Sequence, residues 1–278
     1  MILDGKKVSK LIREKVAKEV AKINDKLKLL VILVGSNDAS KLYIRYKEKA
    51  CKEVGIDTET LRLSEDTSEE ELLEIIKKAN NDITTHAILV QLPLPKHINS
   101  QRIIKAIDPN KDVDGLTMVN QAKLFNNVKG IIPATPKGVI SILNHHNINL
   151  EGLDALVVGR SNLVGKPLSM LLVNENATVT IAHSKTKDLT KIAKSSDLIV
   201  AAAGSVNLIT KEMVKKDVII VDVGTNRIDG KVVGDVAFDE VKDIASFITP
   251  VPGGIGPMTI ASLLENVLEC YKLIKESI

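Results

Sequence analysis

Residues 155–168 read Ala155-Leu-Val-Val-Gly-Arg-Ser-Asn-Leu-Val-Gly-Lys-Pro-Leu168. An apolar strand, Ala155 to Val158, is broken by Gly159. Pro167 is placed to open a helix, because proline fits the first helical turn. Strand, glycine turn and helix start form the phosphate-binding end of a βαβ unit, where the unpaired N–H groups of the helix N-terminus face an anion. The spacing is Gly159-x-Ser161-x-x-x-Gly165 rather than G-x-G-x-x-G: a serine replaces the middle glycine and the loop is one residue longer. A plain strand–helix turn carries the same residues, so the flanking sequence decides.

The flanks favour a dinucleotide. A second apolar strand, Ala177 to Ala182, follows in the order of a mononucleotide-binding half. A carboxylate at the end of that strand would accept the ribose 2′-OH of NAD. Here His183-Ser184-Lys185-Thr186 stands there instead. A hydroxyl, a lysine and Arg160 across the turn suit the 2′-phosphate of NADP, which a carboxylate would repel. A basic polar turn with no ligand is the competing reading.

At 278 residues the chain has room for two ordinary domains. No apolar run approaches a membrane span, and Lys6, Lys7, Lys10 and Arg13 interrupt any signal-peptide pattern, so a cytoplasmic protein is expected. A net charge of +3 is too small and dispersed for nucleic acid, and three tyrosines without tryptophan make no stacking platform for single strands. Cys51 and Cys270 lack metal-ligand spacing and read as buried free thiols.

In chain order, residues 6–26 show helical spacing, and Leu29 to Val34 is a nearly unbroken apolar run ended by Gly35, a buried parallel strand. Asp38 or Ser40 is placed to cap the next helix, which Gly55 stops. Thr58 to Leu63 alternates like a strand, Ser68-Glu-Glu-Glu71 is a capping box, and Ala87 to Leu92 is another buried strand. Asn99 or Ser100 caps a short helix. Alternating strands and helices predict a parallel sheet with helices on both faces. Residues 131–135 cross to a second domain, whose first helix Pro136 would open. Further strands run from Asp197 to Ala203 and from Val218 to Val223, ending near Gly204 and Gly224. Thr249-Pro-Val-Pro-Gly-Gly-Ile-Gly-Pro-Met-Thr259 is a glycine–proline loop, with Pro257 opening a last helix. The expected domains are 1–135 with 262–278, and 136–261.

Tyr43 and Lys47 are four apart on a helix and share a face. Tyrosine offers a flat ring, and lysine transfers a proton if its pKa is lowered. A solvated lysine beside an amphipathic tyrosine is the bland alternative. Gln91 stands at the carboxyl edge of a buried strand, where open α/β sheets bind ligands, or it is a capping amide. Asp112 and Asp114 flank a turn at Gly115; they bind the edge of a polar heterocycle or merely make the turn. His145-His146 lies near a helix end and caps carbonyls more readily than it holds metal; no metal site is expected.

Six motifs occur in order: Tyr43-x-x-x-Lys47, Val90-Gln-Leu-Pro-Leu94, Asp112-Val-Asp-Gly-Leu116, Pro136-Lys-Gly138, Val158-Gly-Arg-Ser161 with Val164-Gly165, and Pro250-Val-Pro-Gly-Gly-Ile-Gly-Pro-Met-Thr259. Together the chain resembles the bifunctional methylenetetrahydrofolate dehydrogenase/methenyltetrahydrofolate cyclohydrolase family over nearly its whole length. The resemblance implies a two-domain α/β protein with parallel sheets, a Rossmann-like NADP-binding second domain, folate in a cleft between the domains, and a homodimer assembled through the nucleotide domain. It implies catalysis by Lys47, tuned by Gln91, with Tyr43 stacked on the folate and Asp114 on the pterin edge, clear of Lys47.

Leu92 and, from the glycine–proline loop, Pro252, Gly253, Gly256, Pro257 and Thr259 would line the folate. Gly159, Arg160, Ser161, Val164 and Gly165 would bind NADP, with His183, Ser184, Gly204, Gly224 and Thr225. Ala122 and Lys123 depart from the family pattern within Asn120-Gln-Ala-Lys-Leu124 and leave the shape of that loop open, while Asp38 replaces a frequent proline. The expected activity is NADP-dependent oxidation of 5,10-methylenetetrahydrofolate and hydrolysis of the methenyl product to 10-formyltetrahydrofolate. The rivals are a monofunctional enzyme on this scaffold and an NADP-sensing module. Tyr43, Lys47, Gln91 and Asp114 have no role in mere sensing.

Overall fold

The computed structural model describes residues 1–36 and 38–276, apart from the side chains of Asp38, Ala39 and Ser40. The expected caps Asp38 and Ser40 therefore lie outside the described side chains. Two compact units result: residues Leu11–Ala134 with Ile260–Ile278, and Met1–Lys10 with Thr135–Thr259.

Helix α1 (Gly5–Val20) opens the chain. It ends earlier than its periodicity suggests, because the chain tightens into three-residue turns, Lys22 N–H to Glu19 O and Ile23 N–H to Val20 O. Strand β1 (Lys28–Val34), helix α2 (Asp38–Glu53), β2 (Asp57–Leu63), α3 (Glu69–Asn81), β3 (Ala87–Val90), α4 (Ser100–Ala106) and α5 (Met118–Phe125) follow. The sheet is parallel, in the order β2-β1-β3. Because side chains alternate along a strand, Leu29, Val31 and Leu33 pack in one core with Ile44 and Cys51 of α2. Leu30, Ile32 and Val34 pack in another with Leu72 and Ile76 of α3. This two-sided burial is the reason the run reads as unbroken apolar sequence. Ser68 accepts from Glu71 N–H at 3.1 Å, as a capping box requires, and Asn99 caps α4. The 120–124 segment is no loop: Thr117 caps α5 through Asn120 N–H, and Ala122 and Lys123 lie inside the helix. Both cysteines are buried, and neither forms a disulfide among the described residues.

The second unit begins with α6 (Ala134–His145), which starts two residues before Pro136. Strand β4 (Asp154–Val158), α7 (Gly165–Asn174), β5 (Thr178–Ala182), α8 (Leu189–Ser195), β6 (Leu198–Ala201), a short 3-10 turn, β7 (Ile219–Asp222), the hairpin β8 (Asn226–Ile228) and β9 (Lys231–Val233), α9 (Phe238–Val241) and β10 (Phe247–Ile248) follow. The parallel sheet runs β10-β7-β6-β4-β5. Pro167 is the third residue of α7 rather than its first. That placement costs no helical bond, because the third N–H is also an orphan. The last helix, α10 (Ile255–Glu276), likewise starts before Pro257.

Residues 1–10 were expected with the first domain, but they join the second unit. Leu3 N–H donates to Ile248 O at 2.8 Å and Ile2 bridges Ile248 in parallel, so the N-terminus extends the β10 edge.

Candidate active site

Lys47 lies one turn after Tyr43 on α2; the lysine is half-buried and the tyrosine exposed. Gln91 follows β3 directly, and its N–H donates to Ile32 O at 2.8 Å, continuing the ladder one residue past the strand. Its side-chain NH₂ donates to Leu92 O at 2.8 Å, which turns the amide oxygen toward α2. That oxygen accepts from Lys47 Nζ at 3.1 Å. The amide fixes the amine without supplying a charge.

Burial lowers the Lys47 pKa, and the nearby Asp114 charge partly opposes the shift. Asp114 is pushed up by its own burial, with Lys47 pulling it back. The two groups therefore feel each other; Asp114 was expected to lie far enough from the lysine not to pair with it. Among the described residues they form no ion pair, so the coupling is electrostatic and falls short of a salt bridge. Cys51, one turn beyond Lys47, is raised to about 12 by burial and stays a thiol at neutral pH.

The two aspartates of the Asp112–Gly115 turn have separate tasks. Asp112 is buried and accepts from Thr117 N–H at 2.7 Å and Asn120 Nδ2 at 2.9 Å, which makes it a structural residue. Asp114 is half-buried, and no donor among the described residues bonds its carboxylate. Gly115 is required between them and the next segment: its φ is +65°, and a Cβ would lie 2.6 Å from Ile131 O.

In the second unit, Gly159 has φ +137°, and a Cβ there would overlap Ala202 O. A Cβ on Gly165 would overlap Gly159 O, so the start of α7 rests directly on the strand end. Ser161 Oγ accepts from Val164 N–H at 3.1 Å and Gly165 N–H at 3.4 Å, taking over the cap that Val164 cannot provide. Arg160, Ser161, Ser184, Lys185 and Thr225 are exposed. At the end of β5, His183 N–H donates to Thr186 Oγ1 at 2.9 Å and Lys185 N–H to His183 Nδ1 at 3.1 Å, an ordered turn without a carboxylate. Gly204 has φ +66° with open space around it.

In the glycine–proline loop, Gly253 has φ +114° and its carbonyl accepts from Lys6 N–H at 3.2 Å. Gly256 has open space beside it, and Thr259 Oγ1 lies 3.0 Å from Thr135 Oγ1. Thus the structure brings Tyr43, Lys47, Gln91, Leu92 and Asp114 together in one unit. Residues 159–165, 183–184, 204, 224–225 and 252–259 belong to the other.

The sequence reading missed two buried carboxylates of the second unit, Asp222 and Asp235, 3% and 0% exposed. Their signal was present: Asp222 ends the apolar run Val218-Ile-Ile-Val-Asp222, and a charge closing a buried strand needs partners.

A family model described as the tetrahydrofolate dehydrogenase/cyclohydrolase catalytic domain matches residues 3–114, and the NAD(P)-binding domain of the same family matches residues 133–275. The chain belongs to the tetrahydrofolate dehydrogenase/cyclohydrolase family. It is 53% identical over 271 residues to the bifunctional protein FolD of Campylobacter concisus, covering 96% of each chain. It is 48% identical to that of Exiguobacterium sibiricum, covering 98% of this chain and 99% of the relative. The crystal structure of the bifunctional FolD dehydrogenase/cyclohydrolase from Campylobacter jejuni superposes with a TM-score of 0.97 at 46% identity, covering 99% of both chains. The Trypanosoma brucei family member, solved with NADP cofactor and inhibitor, gives 0.95 at 35% identity, covering 99% of this chain and 98% of that one.

Proposed function

We propose that Lys47 is the proton-transfer group of a bifunctional folate enzyme and that NADP seats at the carboxyl edge of the five-stranded sheet. The enzyme oxidises 5,10-methylenetetrahydrofolate with NADP⁺ and hydrolyses the resulting 5,10-methenyltetrahydrofolate to 10-formyltetrahydrofolate. The exposed Arg160, Ser161, Ser184 and Lys185, with no carboxylate closing β5, fit a nucleotide carrying a 2′-phosphate. When bound, NADP⁺ supplies the hydride acceptor.

The first reaction asks little acid–base chemistry of the chain. Tyr43 offers its ring to the pterin, and the free Asp114 carboxylate accepts N–H groups from the pterin edge. Together they hold the one-carbon bridge for transfer. The second reaction needs a proton relay. Water adds to the cationic methenyl carbon and loses a proton; the neutral Lys47 amine accepts it. The ammonium then returns a proton to the ring nitrogen as its bond to the one-carbon unit breaks, and the remaining hydroxyl proton leaves to solvent as the formyl C=O forms. An ordinary lysine, with pKa near 10.4, is almost wholly charged at neutral pH. Burial supplies the missing fraction of free amine, and Gln91 Oε1 keeps Nζ in place in either protonation state.

The carrying observation is the 3.1 Å bond from a half-buried lysine to a neutral, doubly anchored amide. The test is a spectrophotometric assay with NADP⁺ that follows the rise of methenyl absorbance and then its decay. A rise without enzyme-dependent decay would remove the hydrolytic half of the reading.

We further propose a cytoplasmic homodimer joined through the nucleotide-binding unit. The open β5 edge, with exposed Thr178, Thr180 and Ile181, supports that surface. No described helix is long and apolar enough to cross a membrane. Light scattering that gives one-chain mass at micromolar concentration would refute the dimer.

A further inference from the structure

In the five-stranded sheet β4 is flanked by β5 on one side and β6 on the other, so the topological switch lies at β4. Ligands of open α/β sheets bind in the crevice beyond the carboxyl ends of such strands. The segment after β6 is one wall of that crevice. Ala202 N–H donates to Val158 O at 2.8 Å, and Ala202 O occupies the space a Cβ on Gly159 would need. The wall continues as Ala203–Ser205, which is exposed and contributes nothing to the core.

Three consecutive N–H groups of this wall nevertheless converge on one buried side chain. Ala203 and Gly204 donate to Asp235 Oδ2 at 2.7 and 2.9 Å, and Ser205 donates to Oδ1 at 2.9 Å. Asn226 Nδ2 adds a fourth bond to Oδ1 at 2.8 Å. Successive backbone N–H groups of this kind form a nest for an anion, and here the anion is internal. Four donors fill the lone-pair sites of a carboxylate, so nothing else can share them.

Asp235 is fixed in turn by Asp222. That carboxylate accepts from Asp235 N–H at 3.0 Å, Val236 N–H at 2.9 Å and Gly224 N–H at 2.9 Å. Asp222 N–H itself donates to Thr249 Oγ1 at 2.7 Å. Gly224 and Gly234 have no room for a Cβ, because the two carboxylates fill it. A chain of two buried acids therefore runs from the end of β7 to the wall beyond β6. Such burial is costly unless each acid is fully bonded.

We propose that Asp235 is a positioning residue for the NADP-dependent oxidation: its carboxylate sets the Ala203–Ser205 wall in the shape that receives the nucleotide, and Asp222 sets Asp235. The assignment rests on the cofactor reading above. It separates the two activities, because hydrolysis of added methenyltetrahydrofolate consumes no NADP⁺.

The test uses the full-length chain and its D235N variant. Asparagine keeps the size but turns an NH₂ toward N–H donors, so at least one bond becomes a repulsion. NADP⁺ affinity, by calorimetric titration, should fall about tenfold or more, the scale of one charged hydrogen bond. Hydrolysis of added methenyltetrahydrofolate should stay within about twofold of wild type, since Lys47 lies in the other unit. Hydrogen exchange at Ala203–Ser205 should be slow in the wild type despite exposure, and fast in the variant.

Unchanged NADP⁺ affinity in D235N, or equal losses in both activities, would overturn the assignment. If D235N does not fold, the wild-type exchange decides alone: unprotected amides at 203–205 reject the assignment, and protection that deepens with NADP⁺ sustains it. A wild type that binds no NADP⁺ would instead refute the cofactor reading, a result distinct from a wild type and variant that bind it equally.

Discussion

On the proposed reading, the surroundings of Lys47 and the turn at Gly159 prepare for their ligands by opposite means. At Lys47 the working atoms belong to side chains, half-buried and electrically coupled: burial lowers the lysine, Asp114 raises it, and Gln91 holds it. At Gly159 the shape belongs to backbone, set by two glycines that tolerate no Cβ, and the side chains around it are exposed. A substitution in the first region alters chemistry and electrostatics together. In the second, on the proposed reading, it should alter which nucleotide is preferred, provided the glycines stay.

The sharpest break should come from Lys47→Met, which keeps the apolar stem and removes the amine. Hydrolysis of methenyltetrahydrofolate should fall at least ~10²-fold, while dehydrogenation falls less and the methenyl compound accumulates. Methenyl absorbance over time at fixed NADP⁺ measures both, and wild-type hydrolysis in the variant would make Lys47 a bystander. The same variant should melt higher at neutral pH. The unfolded lysine keeps its proton up to about 10.4, whereas the buried one releases it earlier, so below the lowered value the charged amine costs the folded state. The cost shrinks as pH rises above the lowered folded value and is gone once pH passes the unfolded value.

Next is Asp114→Ala. Losing a carboxylate that accepts pterin N–H groups should weaken folate binding by roughly 10- to 100-fold, with NADP⁺ binding nearly intact. A calorimetric titration showing equal losses for both ligands would indicate a folding defect. Ser184→Asp brings a negative charge to the exposed end of β5 and should erode the preference for NADP⁺ over NAD⁺ by about tenfold, read as the ratio of kcat/KM values. Equal efficiency with both cofactors in the unmodified enzyme would dissolve the contrast on which this substitution rests. The smallest effect tests the coupling itself. Asp114 raises the Lys47 pKa, so Asp114→Asn should move the rising limb of the hydrolysis profile to lower pH at saturating substrate. A limb that stays in place would mean Asp114 does not act on the lysine.

The two regions were also unequally legible from sequence. Strand β1 was plain because both its faces are buried from Leu29 to Val34, so each of those positions must be apolar. Ser68 was plain, and Asn99 was one of two candidates with Ser100, because caps act within three residues. Lys47 and Gln91 are 44 apart, and their bond depends on how β3 lies beside β1; the residues alone left each with a bland reading, and only the ordered motifs raised them. Asp235 escaped for a similar reason, since its four donors come from residues 203–205 and 226. The helix α5 hid behind a departure from the family pattern, although Thr117 was a local signal for its start. Proline misplaced three helix starts: at the second or third position it fits as well as at the first, because those N–H groups also have no partner within the helix.

The contact between Gly165 and Gly159 O has a consequence for divergence. The span from one glycine to the other is gauged by steric contact of main chain on main chain, and Ser161 closes it through its own hydroxyl. Arg160, Asn162 and Leu163 stand outside that closure, exposed. Changes at those three residues therefore leave the closure intact while selection shifts between nucleotides with and without a 2′-phosphate.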